Sequence, residues 1–179
     1  MPTLPPPRFL QGFVARPTTD PGIDTDPPPE NWENRFFSIA CECGGSTFAV
    51  RSFFNPHFYL EYETAYGPVT LRCTTCLQER ESFDPSKHGY DVEIDHWPPD
   101  DDFGGIDKEF ACPHCSGADF ALTVVLEYPP DVLQAEAAEE GRSAASSGPK
   151  PEDLFGYFTL VGRCSGCGVL TTISDVECA

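Results

Sequence analysis

Across residues 46–83, apolar and polar positions follow the rhythm of short strands. The clearest run is 58–64, where Phe58, Leu60 and Tyr62 share one face while Tyr59, Glu61 and Glu63 occupy the other. Ser46 to Phe54 and Leu77 to Phe83 read as strands on either side, and Val69-Thr70-Leu71-Arg72 adds a short run. Asn55-Pro56 and Gly67-Pro68 separate them. The pattern returns at Phe120 to Tyr128, with Phe120, Leu122, Val124 and Leu126 on one face, then at Phe155 to Val161 and Val169 to Ile173. A helical pattern is confined to Val132 to Glu140, where Asp131 and Gln134 form a capping pair and Gly141 is a stop. The predicted class is mainly β, built from short antiparallel strands.

The remaining stretches lack a period. Residues 1–30 hold nine of the 19 prolines, so they are expected to be extended and largely without regular structure. Phe9-Leu10 and Phe13-Val14 would lay this segment over the body, with docking on another protein the alternative. Asn31 to Ile39 leads its aromatics towards the first half of the chain. Residues 91–109 carry eight acids and read as an irregular acidic linker. A calcium loop starting at Asp100 is disfavoured, because its twelfth position is Ala111 rather than glutamate. Arg142 to Pro151, rich in Ser, Ala, Gly and Pro, reads as a mobile excursion.

Chemistry enters with the cysteines. Eight of the nine fall into couplets: Cys41-x-Cys43, Cys73-x-x-Cys76, Cys112-x-x-Cys115 and Cys164-x-x-Cys167. One tight turn brings two thiolates to an ion, and two turns complete a tetrahedral site. Four couplets therefore predict two metals. Small lobes gain most from such a staple, since structural zinc supplies roughly 10–16 kcal/mol of apparent binding free energy in peptides.

The cysteines of the first half recur at offsets of 71, 72, 91 and 91 residues, and Arg72 and Arg163 each precede a second knuckle. This divergent repeat favours pairing within each half, although a cross-brace between distant couplets remains open. It divides the chain into a Pro-rich segment, 1–35; a first lobe, 36–91; an acidic connector, 92–109; and a second lobe, 110–179, with an insertion at 129–153.

Cys112-Pro113-His114-Cys115-Ser116 and Cys164-Ser165-Gly166-Cys167-Gly168, joined by antiparallel strands, resemble the zinc-ribbon or rubredoxin-like superfamily. The resemblance spans most of 36–176 and implies two tandem zinc-ribbon-like lobes. It implies ligation by Cys112, Cys115, Cys164 and Cys167 in one lobe, and by Cys41, Cys43, Cys73 and Cys76 in the other. The first couplet departs from the pattern by having one intervening residue. Such sites hold zinc or a redox-active iron. Two zinc ions are the expectation, because the irregular couplet and long insertions are unlike a compact electron carrier.

Charge narrows the partners. The formal net charge is −18, with 7 basic against 11 acidic residues in 1–90 and 4 against 18 in 91–179. Direct nucleic-acid binding is disfavoured, as the few cations form no cluster. No membrane span is expected, for no stretch approaches about 20 apolar residues. The N-terminus lacks a secretory pattern, so a reducing cytoplasm is expected.

Catalysis finds little support. Four cysteines close a zinc sphere that a catalytic site would leave open, and His57, His88, His96 and His114 form no spaced ligand pair. His88 reads as loop packing and Cys178 as a spare thiol without a base. No small-molecule substrate is signalled. The expectation is a noncatalytic protein-interaction module, such as an acidic inhibitor or immunity-type protein covering a basic partner. A transcription- or translation-associated adaptor and a rubredoxin-like electron carrier are the alternatives.

Overall fold

The computed structural model describes residues 5–22, 31–54, 64–90, 106–133 and 150–178. Its nine strands are β1 (Val14–Pro17), β2 (Glu33–Ala40), β3 (Phe48–Phe54), β4 (Val69–Cys73), β5 (Glu79–Phe83), β6 (Ile106–Glu109), β7 (Phe120–Tyr128), β8 (Tyr157–Cys164) and β9 (Leu170–Glu177). They form one hydrogen-bonded sheet in which every strand pair is antiparallel. The mainly β class read from the sequence is the class observed.

Where alternation is strong, prediction and structure coincide. The β7 strand has the expected bounds, and Phe120, Leu122, Val124 and Leu126 are all buried. The 58–64 alternation and most of the expected helix lie outside the described residues. Residues 130–133 are helical, so Asp131 sits inside the first turn rather than capping it. Its carboxylate instead accepts the Tyr90 hydroxyl at 3.2 Å.

Two stretches expected to be irregular are partly ordered. In the Pro-rich segment, Arg8–Leu10 forms a 3-10 turn and β1 pairs with β2, while Leu10 and Phe13 are buried. In the acidic connector, β6 pairs with β3. Strand pairing requires only a backbone that presents its N–H and C=O groups, and β6 buries none of its four residues. Burial periodicity therefore carried no signal for it. A third difference concerns Asn31 to Ile39, whose aromatics were expected against the first half. Those residues contain β2, which pairs with β7 of the second half, burying Phe37 and Ile39.

The pairing repeats itself. Phe48 opposes Cys73 and Ala49 opposes Arg72 on β3/β4, while Phe120 opposes Cys164 and Ala121 opposes Arg163 on β7/β8. β5 and β9 then flank β4 and β8. The equivalent residues Phe48 and Phe120 pair with each other. An antiparallel bridge between equivalent residues places a local two-fold axis between them.

The strands entering the first knuckles obey the same axis. β2 leads into Cys41 yet pairs with β7, and β6 leads into Cys112 yet pairs with β3. Each repeat thus lends one strand to the other, and the two units are interlocked rather than merely adjacent.

Their aromatics share one apolar cluster. Phe83 on β5 stacks on Phe158 on β8 at 3.8 Å between ring centres and 6° between planes. Phe9 meets Phe83, Phe155 and Phe158 edge-on at 5.5–5.9 Å. The Arg8 guanidinium pairs with the nearly buried Asp153 carboxylate, which also accepts the Arg8 backbone N–H at 2.8 Å. The N-terminal turn is thereby held across the seam between the repeats.

Interlocked units should unfold together. Phe158→Ala removes a fully buried ring from the shared cluster and is expected to lower stability by about 3–5 kcal/mol. Tryptophan fluorescence and far-UV circular dichroism should report one coincident transition that moves as a whole. Two separated transitions would contradict the interlocked fold.

Candidate metal centres

The structure gathers the eight predicted cysteines into two quartets, Cys41/Cys43/Cys73/Cys76 and Cys112/Cys115/Cys164/Cys167, with all sulfurs of each quartet within 4.8 Å of one another. Each quartet draws its four cysteines from one repeat, the grouping that the sequence favoured over a cross-brace. Cys41 Sγ lies 3.6 Å from Cys76 Sγ, and Cys43 Sγ lies 3.7 Å from Cys73 Sγ. In the second quartet, Cys112–Cys167 and Cys115–Cys164 are 3.7 and 3.5 Å apart. A tetrahedral ion with metal–sulfur bonds of about 2.3 Å separates its sulfurs by about 3.8 Å. The quartets are close to that shape, so each could hold a metal ion.

Backbone hydrogen bonds explain how short segments achieve this. In each regular knuckle, the first cysteine's N–H donates to the carbonyl five residues on and its carbonyl accepts from the N–H four residues on. This holds for Cys73 with Gln78 and Leu77, Cys112 with Gly117 and Ser116, and Cys164 with Val169 and Gly168, at 2.8–2.9 Å. At Cys41 the partners are Gly45 and Gly44, at 2.7 and 2.8 Å. The irregular couplet is therefore the same knuckle shortened by one residue in the loop between its cysteines.

Each knuckle closes on a left-handed residue: Gly44 (φ 88°), Leu77 (φ 62°), Ser116 (φ 60°) and Gly168 (φ 75°). Glycine accepts that conformation freely, whereas leucine and serine are strained there. Gly45 meets a second demand, because a Cβ at that position would stand 2.8 Å from Cys73 Sγ. Neither Leu77 nor Ser116 is a residue type that signals positive φ in a sequence.

Burial alternates within each quartet. Cys41, Cys73, Cys112 and Cys164 are buried, while Cys43, Cys76, Cys115 and Cys167 are exposed. Thiol acidity is also uneven. At Cys73 burial opposes ionisation, but the N–H groups of Cys76 and Thr75 and the thiols of Cys43 and Cys76 bring its pKa down to about 6. At Cys164 the Cys167 N–H leads in lowering the value to about 7. At Cys43 and Cys115 the N–H groups of Gly45 and Gly117 favour ionisation, yet the neighbouring thiols, helped by partial desolvation, push both up to about 12. Each quartet thus contains one thiol whose ionisation its surroundings favour and another whose ionisation they oppose.

The other candidates lie elsewhere. Cys178 joins neither quartet; it is buried and packs close to Gly89. His88 Nδ1 accepts the Asp84 N–H at 3.0 Å, and its ring lies against Phe9 and Phe83, a packing role. His114 is exposed in its knuckle and belongs to neither quartet. His57 and His96 lie outside the described residues.

The knuckle geometry makes two predictions. Leu77 is 65% exposed, so Leu77→Gly loses little packing and should stabilise the reduced protein by about 1 kcal/mol, read by denaturant unfolding. The second concerns pH. Depressed thiol pKa values in the folded chain give stability that is complete above the ordinary thiol range and is lost as pH falls through about 7 and 6. Protons compete with metal in the same direction, so a chromogenic chelator should extract bound metal much faster below pH 6 than at pH 8. Extraction independent of pH would exclude thiolate ligation. No family model, curated protein or solved structure matches the chain, so its candidate metal centres stand on their own geometry.

Proposed function

We propose that this chain is a noncatalytic scaffold in which two zinc-filled quartets brace an interlocked sheet, whose acidic surface engages a basic protein. Zinc suits a structural site closed by four thiolates. The quartet distances support a tetrahedral ion, and zinc without redox chemistry agrees with the long strands and insertions around the knuckles. Closed coordination leaves no position for substrate at the metal.

The observation that carries the partner assignment is the distribution of charge. Among the described residues, Arg8, Arg35, Arg51, Arg72, Arg80, Lys87 and Lys150 each lie within ion-pair distance of a carboxylate. With a net charge of −18, neutralising these cations still leaves a large excess of acids for the surface. Four thiolates around a dication add about −2 per filled site.

One cluster of acids is held against its own repulsion. Glu127, Tyr157 and Glu177 pair across β7, β8 and β9, with Asp175 on the adjacent rung opposite Thr159. Burial, then the Asp175 charge, raises the Glu127 pKa. An ionised Glu127 is therefore unfavourable to the fold, and a carboxylate kept at such a cost fits a surface selected for binding. A basic partner would relieve the repulsion and be steered by the field.

The sign of this effect is testable. A raised carboxyl pKa gives stability below the unfolded value that is lost as pH rises through the folded value. Glu127→Gln should therefore stabilise the protein at pH 7, with the gain vanishing below about pH 4. The same substitution should weaken a partner captured from lysate at low salt. Captured proteins should carry basic surfaces and elute as salt approaches about 0.5 M. A partner retained without regard to salt, or one unaffected by Glu127→Gln, would count against this surface.

A further inference from the structure

The internal repeat offers a comparison within one molecule. Arg72 and Arg163 are equivalent, each immediately preceding the first cysteine of a second knuckle and opposing an alanine, Ala49 or Ala121. Glu109 and Ser38 are equivalent too. Both stand on the strand that enters a first knuckle, opposing Arg51 and Thr123 respectively.

In the first repeat, Arg72 Nη2 donates to Glu109 Oε2 at 2.8 Å, so an internal carboxylate satisfies the arginine. In the second, serine replaces that glutamate. The Ser38 hydroxyl lies 3.4 Å from the Arg16 carbonyl, and Arg163 Nη1 donates to the Gly168 carbonyl at 3.1 Å. Among the described residues, neither Arg163 nor Arg16 has a carboxylate within ion-pair distance, although acids far outnumber bases in this chain.

These two arginines line the same cleft, of ≈ 620 Å³. Arg16 on β1 opposes Ser38 on β2, and Arg163 lies beyond β7 on the other side. Three strand spacings and two residues along the strand separate their backbones, about 16 Å at about 4.8 Å per strand and about 3.4 Å per residue. Small and apolar side chains, including Ala40, Ala121 and Leu170, contribute to the lining. Glu42 also lines it, but Arg80 holds that carboxylate at 2.7 Å.

We propose that this cleft binds a small organic acid, its carboxylate seated between Arg163 and Arg16 in the place that Glu109 takes beside Arg72. The volume is that of a small-molecule site, and the apolar lining suits a hydrocarbon body. Arginine forks match carboxylate geometry and can act over the short range left by ionic screening. A polymeric acid, such as an acidic protein or nucleic acid, would meet the repulsion of the whole chain over many contacts. This site goes beyond recognition of a basic partner and does not depend on it.

The test uses the full reduced chain in its metal-loaded form, with suberate, an eight-carbon dicarboxylate, as the probe in calorimetric titration. Binding tighter than about 1 mM is expected at low salt. Ser38→Glu restores the internal carboxylate and should weaken suberate binding at least about tenfold, with the far-UV spectrum unchanged. Arg16→Ala should weaken it comparably, and decides the matter if Ser38→Glu does not fold, because no side-chain bond of Arg16 contributes to the described structure. The proposal is overturned if suberate fails to bind, if it binds both variants as tightly as the parent chain, if sulfate competes equally at the same concentration, or if only a glutamate-rich peptide binds.

Discussion

The constraint on which the fold depends is the gathering of four thiols into a volume only 4.8 Å across, twice in one chain. Four thiolates brought so close would repel one another, and protonated thiols would retain their crowding without a strong attraction. A dication resolves the conflict by replacing mutual repulsion with four favourable bonds. The knuckle hydrogen bonds aim the sulfurs before metal arrives. A metal held there would fix the ends of β4 and β8, which carry Cys73 and Cys164, against the entries to β3 and β7.

Interlocking spreads that local restraint across the molecule. Since β2 and β6 enter one knuckle each but pair in the opposite repeat, the ladder ties the surroundings of each quartet to the other repeat. The bridge between Phe48 and Phe120 and the stack of Phe83 on Phe158 join the same two units. Neither repeat contains all the strands that cover its own sheet. This arrangement also anchors the turn Arg8–Leu10, for Phe9 lies against rings from both repeats.

The sequence made the quartets and most strands legible because their signals are local. Cysteine spacing defines a knuckle, and alternation through Phe120 to Tyr128 defines a strand buried on one face. The exchange of β2 and β6 was hidden because strand pairing is nonlocal and β6 has no apolar period. Positive φ at Leu77 and Ser116 was hidden because neither residue prefers it. The arginine cleft was visible only as two isolated cations in the sequence. It gained meaning when the repeat aligned Ser38 with Glu109 and the ladder placed Arg16 beside Ser38. An internal repeat is therefore informative at the positions where its two copies differ.

Metal, sheet and surface form one account only if the quartets control folding. The most direct measurement is a titration of the reduced, metal-free chain with zinc, following far-UV circular dichroism and metal binding in the same sample. Strand signal and resistance to proteolysis are expected to rise together and level off at two equivalents. A metal-free chain with the full strand signal and undiminished thermal stability, or saturation without any gain of structure, would contradict it.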